Sequence, residues 1–265
     1  MKVSVIIPFY KDTVALGLIL DALNKQSALG SFEVIIAEDD NAPETLDLIN
    51  EFKPHLTYPL LHISQEDKGY RRSAALNNGI RIASGELIVF IDGDCIPHKH
   101  FIKNYIRHAK IDTLLYGRRV NLGRVTSEKI RKTKNLNLLS ISNLLFSDSS
   151  RVSEGFYFPN CPDFIKSKRQ PWGCNLGAMK NNIEAINGYD EDFKEWGPED
   201  LDFCNRLIRS GCKTFSVKYA SILFHLYHKT KSNEELIARG ELLLEKKRKT
   251  SNFFCENGLI KKLKP

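Results

Sequence analysis

Two acidic residues flanking a glycine, Asp92-Gly93-Asp94, follow directly on the apolar run Leu87-Ile88-Val89-Phe90-Ile91. Side chains two positions apart in an extended chain point the same way. Two carboxylates that close repel each other unless a cation neutralises them. Oxygen donors of this kind suit magnesium or manganese held against phosphates, and Gly93 lets a ligand approach the backbone. The same tripeptide also has the composition of a turn. A second acidic run, Glu38-Asp39-Asp40, closes the apolar segment Glu33 to Ala37. It could bind metal, cap the next helix or accept a hydrogen bond from a nucleobase N–H. Between the two lies Lys68-Gly69-Tyr70-Arg71-Arg72, at the head of a predicted helix. Helix N-termini and arginines both favour phosphate, although a basic surface cluster has the same composition. Farther along stands Trp196-Gly197-Pro198-Glu199-Asp200. Pro198 suits a first helical turn, where the dipole stabilises Glu199 and Asp200. Beside this acidic cap, the face of Trp196 could pack on a sugar ring.

These residues need elements to position them. Val3 to Ile7, stopped by Pro8, reads as a buried strand, and Phe32 to Ala37, Tyr58 to Ile63 and Leu87 to Ile91 read likewise. Helical spacing joins them over Thr13 to Ser27, Pro43 to Phe52 and Arg71 to Ala83, the last with Gly85 past its end. Alternation of this kind predicts an α/β fold with a mostly parallel central sheet flanked by helices. Ligands of such sheets bind at the carboxyl ends of the strands, where both acidic runs fall. From Arg119 to Gln170 the periodicity weakens. Leu136 to Phe146 could form one helix, and Ser147 to Pro162 reads as a loop. Then Asn175 to Met179 reads as a strand, Glu199 to Ser210 as a helix, and Thr214 to Val217 and Ser221 to His225 as short strands. Ser232 with Glu235 makes a capping box for a last helix. The expected organisation is a first half over 1–110, a second half of the same domain over 111–230, and a C-terminal helix with a basic tail over 231–265.

The 265 residues carry a formal charge of +7, which suits anionic partners without choosing among them. No finger, RRM-like or basic-zipper pattern points to nucleic acid. Six cysteines without a C-x-x-C pair read as reduced thiols rather than a zinc or disulfide framework. Met1 to Tyr10 does not read as a signal peptide, and no run approaches the ~20 apolar residues of a membrane span. Expected locations are therefore the cytoplasm or the membrane's cytoplasmic face. After Glu245, seven cations (Lys246, Lys247, Arg248, Lys249, Lys261, Lys262 and Lys264) interleave with Phe253, Phe254, Leu259, Ile260 and Leu263. That pattern suits peripheral contact with an anionic membrane as well as a solvated tail.

Together the sequence resembles family 2 glycosyltransferases of the GT-A fold. The resemblance rests on Val3-Ser4-Val5-Ile6-Ile7-Pro8-Phe9-Tyr10, on Glu33 to Asp40, on Lys68 to Gly79 and on Asp92-Gly93-Asp94 as a D-x-D motif. Gly188-Tyr189-Asp190-Glu191 and Trp196-Gly197-Pro198-Glu199-Asp200 are similar to the W-G-x-E-D segment of galactosyltransferase-like and chondroitin-polymerase-like enzymes. The likeness covers about Met1 to Ala109 and Trp172 to Lys229. The sequence departs from it at Glu38-Asp39-Asp40-Asn41, where the family often has Asp-Asp-Gly-Ser, and at Ala75-Leu76-Asn77, where it often has Ala-Arg-Asn.

The resemblance implies an inverting transfer from a nucleotide sugar, with UDP as the expected nucleotide, to a saccharide that could be lipid-linked. It implies Asp200 as catalytic base with Glu199 beside it. The donor would meet Pro8, Tyr10, Glu38, Asp39, Lys68, Arg71, Arg72, Asn77, Asp92 and Gly93. The acceptor would meet Trp196, Gly197 and Trp172. Asp94, Asp92 and His225, with His228 in reserve, would hold Mn2+ or Mg2+. The implied setting is surface-polysaccharide synthesis. A sugar nucleotidyltransferase would carry glycines after the first strand, where Pro8-Phe9-Tyr10-Lys11-Asp12 has none. A non-catalytic sugar-binding protein would have little use for Asp200.

Overall fold

Three seven- and five-residue runs in which every residue is buried set the architecture: β1 (Val3–Phe9), β2 (Phe32–Glu38) and β4 (Leu87–Ile91). Apolar on both faces, they can only be interior strands of a parallel sheet covered on both sides. In the computed structural model, which describes residues 1–28, 32–163, 165–166, 170–171, 173–229, 234–250 and 252–261, they are. With β3 (Leu60–Ser64), β6 (Thr113–Tyr116), β8 (Asn175–Met179) and β9 (Lys213–Ser216) they form a seven-stranded sheet in the order β3-β2-β1-β4-β8-β6-β9. Only β8 runs against the rest. The first helices, α1 (Thr13–Asn24), α2 (Pro43–Phe52) and α3 (Arg72–Ile82), are the crossovers between parallel strands.

The chain reverses its direction of travel across the sheet between β1 and β4, which pair in parallel. That switch point opens a crevice at the carboxyl ends. Phe9, Glu38 and Ile91 end their strands there. Pro8 does not stop β1: the strand continues through it to Phe9, with Pro8 opposite Ala37 of β2. The pairing with β4 spans only Val3 to Ile6, so the N–H that proline lacks is not needed on that side. Gly85 is not a helix cap. A Cβ there would strike the backbone of Ser4, so it is a close-packing position.

A smaller sheet, β5-β10-β7, leaves the first immediately after the Asp92–Asp94 turn. It joins β5 (Cys95–Pro97), β10 (Ile222–His225) and β7 (Arg118–Asn121). Sequence periodicity did not show β5–β7, α4 (Phe101–His108) or α5 (Arg124–Thr133). The strands are three or four residues long, too short for a period to register, and β7 carries Arg118 and Arg119. The single helix expected over Leu136 to Phe146 is instead a short 3-10 turn followed by α6 (Ile141–Leu145), because Ser140 between them is extended.

Helix α8 (Glu199–Arg209) is fastened to β4 by an aromatic cluster. Tyr189 stacks on Phe203 with ring centroids 4.1 Å apart, and Phe90 meets Tyr189 edge-on at 5.4 Å. Behind it, α7 (Lys180–Ala185) leads to a turn held by the C-terminal segment. Asn187 donates to the carbonyls of Cys255 and Ile260, and Lys247 of α9 (Glu234–Arg248) reaches Asp190 and Asp192 at 2.5 and 2.6 Å. Lys261 pairs with Glu191 at 3.1 Å. Two of the tail cations expected to face a membrane are therefore committed to the domain's own acids. Ser232, Lys262, Leu263 and Lys264 lie outside the described residues. All six cysteines are free and buried, and no described helix is long and apolar enough to cross a membrane.

One buried polar cluster ties β1, β2 and the loop before β4. Glu33 accepts from Ser4 Oγ at 2.5 Å and from the backbone and hydroxyl of Ser84 at 2.7 and 2.6 Å. Burial opposes its charge, but these donors and Lys2 outweigh it and hold the carboxyl at about 2. A depressed carboxyl adds stability above its unfolded pKa, near 4.5, and that stability is lost as pH falls through the folded value. Glu33→Gln is thus expected to lower the Tm at pH 7, with the deficit shrinking as pH drops from 4.5 toward about 2; a deficit independent of pH in thermal unfolding would refute this.

Candidate active site

At the crevice the D-x-D segment is a turn, not an extended strand end, so its two carboxylates diverge. They remain near enough for Asp92, Asp94 and Cys95 ligand atoms to lie within 4.8 Å of one another. Gly93 packs where a Cβ would meet the Pro8 carbonyl at 2.8 Å, which ties this turn to the end of β1. Asp94 Oδ2 faces His225 Nε2 at 3.2 Å and His228 Nε2 at 3.3 Å. The register of β10 on β5 makes that meeting, with His225 opposite Cys95 and the N–H of Leu226 donating to the Asp94 carbonyl at 2.9 Å. Burial resists charge on Asp94, yet hydrogen bonds from the two imidazoles hold its carboxyl well below the usual range. In return the Asp94 hydrogen bond raises the His228 pKa. A carboxylate and two imidazoles converging within 4.8 Å fit a divalent transition ion such as Mn2+ better than Mg2+.

Asp92 turns the other way. Its Oδ1 accepts from Arg72 Nη2 at 2.7 Å, and Arg119 Nη1 approaches its Oδ2 at 3.8 Å. Arg72 stands first in α3 and is nearly buried. Its other nitrogen, Nη1, donates to Asp200 Oδ1 at 3.0 Å and lies 3.4 Å from Glu199 Oε1. One guanidinium thus joins the D-x-D turn to the head of α8. Burial penalises its charge, but Asp200, Asp92 and Glu199 around it drive its pKa further up.

Asp200 also accepts from Tyr189 Oη at 3.2 Å. Its Oδ2 lies over Gly173, where any Cβ would overlap the carboxylate. Glu199 is buried and accepts from Tyr70 Oη at 2.9 Å and from the Gly197 N–H at 3.1 Å. Burial, then the neighbouring Asp200 charge, push its carboxyl up to about 7. Trp196 is 54% exposed at the rim, free to offer a ring face. Trp172 lies outside the described residues.

The second acidic run is built differently from the sequence expectation. Asp39 accepts from Gln65 Nε2 at 2.6 Å and from the Arg71 N–H at 2.7 Å, so it anchors the start of α3 rather than capping α2. A cleft of about 420 Å³ lined by Asn41, Ser64, Gln65, Glu66 and Asp67 opens beside it. Glu38, expected among the donor contacts, has its side chain wholly buried, bonding His62 at 2.7 Å. Asn77 is also not brought to the crevice. Fully buried, it exchanges hydrogen bonds with the backbone of Tyr189 and donates to Glu191. Lys68 is exposed and paired with Glu66 at 2.7 Å. Tyr10 is exposed at the mouth, bonding Asp67 at 3.2 Å.

Arg119, Tyr70, Tyr189 and Gly173 were not anticipated as site residues. Tyr70 and Tyr189 stand inside the motifs Lys68 to Arg72 and Gly188 to Glu191 without a role of their own there, and Arg119 and Gly173 carry no signal in the sequence.

The crevice, its paired acids and the Asp94, His225 and His228 cluster can be set beside known proteins. The family model for "Glycosyl transferase family 2" matches residues 4–169. The chain belongs to glycosyl transferase family 2. A second model, "N-terminal domain of galactosyltransferase", matches residues 161–229, the stretch holding Gly173, Tyr189, Glu199, Asp200 and His225. Among curated members similar to it are chondroitin synthase of Escherichia coli, 26% identical over 90% of this chain and 36% of that protein, and validoxylamine A glucosyltransferase of Streptomyces hygroscopicus subsp. jinggangensis, 27% identical over 78% of this chain and 51% of that protein. The chain therefore spans from about a third to about half of the length of these two relatives. In fold it matches S. aureus TarS residues 1-349 in complex with UDP, with TM-score 0.59 and 16% identity, over 93% of this chain and 65% of that one. A mannosyltransferase from Pyrobaculum calidifontis, in complex with GDP-Man and Mn2+, matches with TM-score 0.59 and 16% identity over 87% and 58%. The fold is GT-A.

Glu199 makes the family member's site sensitive to pH. A folded-state pKa near 7 against 4.5 unfolded means the folded protein holds that proton more tightly, so stability falls as pH rises through this window. Glu199→Gln is expected to match the wild type in Tm near pH 4.5 and to exceed it progressively toward pH 8. Parallel Tm curves for the two proteins would show that burial does not raise this carboxyl.

Proposed function

We propose that the protein is an inverting glycosyltransferase that moves a sugar from a UDP-sugar to a hydroxyl of a saccharide, free or lipid-linked. The observation that carries this is the single buried Arg72, which brackets Asp92 on the donor side and Asp200 on the acceptor side. Family membership, and relatives and neighbours named for sugar transfer, support the same reading.

Asp94, His225 and His228 would hold the ion, with Asp92 adjacent. When bound it neutralises charge gathering on the departing nucleoside diphosphate. The chain's own residues do the rest. Asp39 and the cleft beside it receive the base, each carboxylate oxygen keeping capacity for a further N–H. Arg72 and Arg119 keep a positive field beside the diphosphate while holding Asp92 in place. Trp196 offers its ring to the acceptor sugar. Asp200, oriented by Arg72 and Tyr189, takes the proton of the attacking hydroxyl as general base. Glu199, held by Tyr70, orients hydroxyls beside it. A single in-line displacement then inverts the anomeric centre. Relatives named as chondroitin synthases support polysaccharide synthesis, for which the cytoplasmic membrane face is the proposed location.

Two substitutions test the assignment. Asp94→Asn should abolish Mn2+-stimulated release of UDP from the donor while circular dichroism stays near wild type; undiminished stimulation at saturating Mn2+ would remove Asp94 from the metal site. Asp200→Asn should lower kcat by roughly 10²–10⁴-fold with UDP affinity nearly unchanged. Should UDP affinity collapse instead, Asp200 acts on the donor and the base must be sought elsewhere.

A further inference from the structure

A second cleft, of about 490 Å³, opens on the far face of α3, between that helix, the Glu191–Lys194 segment and the C-terminal strap at Asn257 to Lys261. Apart from Gln65 and Arg71, which also bond Asp39, none of its lining residues has a role assigned above. Arg72 sends its side chain toward Asp92 and Asp200. By contrast, Ala74, Asn78 and Arg81, three and four residues apart, share the helix face that lines the cleft.

Its lining is strongly one-sided in charge. Arg71, Arg81, Lys194 and Lys261 contribute four cations, against one carboxylate, Glu191. That carboxylate is already neutralised, by Lys261 at 3.1 Å and Arg81 at 3.7 Å. Arg81 is fixed rather than trailing in solvent, because it donates to the carbonyls of Gly258 and Leu259 and to Asn78 Oδ1. These bonds fix its charge at the cleft wall while occupying most of its N–H groups, so it contributes field more than donors.

The first turn of α3 adds neutral donors. No side chain caps that helix, so its leading N–H groups lack partners within it. Ser73 and Ala74 of that turn line the cleft. Ser73 is 1% exposed, and its Oγ has no hydrogen-bond partner. Burying a hydroxyl unbonded costs on the order of 1–3 kcal/mol, which a ligand oxygen would recover. The Arg71 Nε is buried and unpartnered as well. Four cations, an uncapped helix start and an orphaned hydroxyl around one cavity are the donor set of an oxyanion site.

We propose that this cleft binds a second anionic ligand, a phosphate ester or a sugar carboxylate, at the same time as the nucleotide. The volume admits a monosaccharide bearing such a group. Because Arg71 donates its N–H to Asp39 and also lines the cleft, an anion there lies one residue from the proposed base pocket. The proposal rests on the nucleotide-binding part of the transferase reading and on neither the metal nor Asp200; a failure of UDP itself to bind in the same calorimeter would count against that reading and not against the cleft.

The test is calorimetry on the intact protein saturated with UDP and Mg2+, titrated in separate arms with inorganic phosphate and with glucuronate. At least one should bind with UDP already in place, and the tighter one identifies the ligand's acidic group. Lys194→Glu and Ser73→Ala should each weaken that binding by about tenfold, with UDP affinity unchanged. Both substitutions sit at the cleft wall, and Ser73→Ala removes only a hydroxyl that has no partner. Binding of both anions that disappears once UDP is bound, or that survives both substitutions undiminished, would overturn the proposal.

Discussion

A buried guanidinium among three carboxylates is the constraint on which the rest of the site depends. Arg72 can be charged there only because Asp200, Asp92 and Glu199 surround it, and those acids can crowd together only because it is charged. Removing one partner of such a group leaves the others uncompensated, at about 3–5 kcal/mol. The interaction therefore fixes a distance between two segments a hundred residues apart in the chain. The D-x-D turn and the head of α8 are thereby held together across the crevice.

The scaffold around this cluster works by close packing. Phe90 precedes Asp92 by two residues, and Tyr189 and Phe203 flank Asp200 in sequence. Their stacked and edge-on rings transmit the position of β4 to α8. Tyr189 serves twice, with its ring in that cluster and its hydroxyl on Asp200. Its backbone is set by Asn77, and the following acids by Lys247 and Lys261. The C-terminal segment thus helps to hold the turn from which Tyr189 reaches Asp200. Its charge is partly spent internally, which leaves less of it for a membrane than composition suggests.

On the other side of the crevice, a three-stranded sheet does what no local pattern could. The antiparallel register of β10 on β5 sets His225 against Cys95 and so brings both imidazoles to Asp94. A shift of one residue would turn the histidines to the opposite face. The meeting of these three side chains is a property of strand pairing: β10 is legible in the sequence as Ser221 to His225, whereas its partner β5 is too short for a period to register.

The sequence by itself determined the parallel core, because unbroken apolar runs such as Val5 to Ile7 and Leu87 to Ile91 have no other way to be buried. It determined too that acids stand at strand ends, and that Trp196 to Asp200 opens a helix, since both are local facts of composition and spacing. It marked His225 as a candidate ligand through a family resemblance. Tertiary structure decided which of the charged residues meet. Glu38 and Asn77, legible as donor contacts, are turned inward to His62 and to the Tyr189 backbone. Arg72, one of several cations in its run, becomes the hub, Tyr70 of the same run joins it at Glu199, and Arg119 and Gly173 join the site from segments with no motif. The reason is that periodicity reports which face of an element is apolar, whereas the partner of a buried charge is chosen by whichever distant element packs against that face.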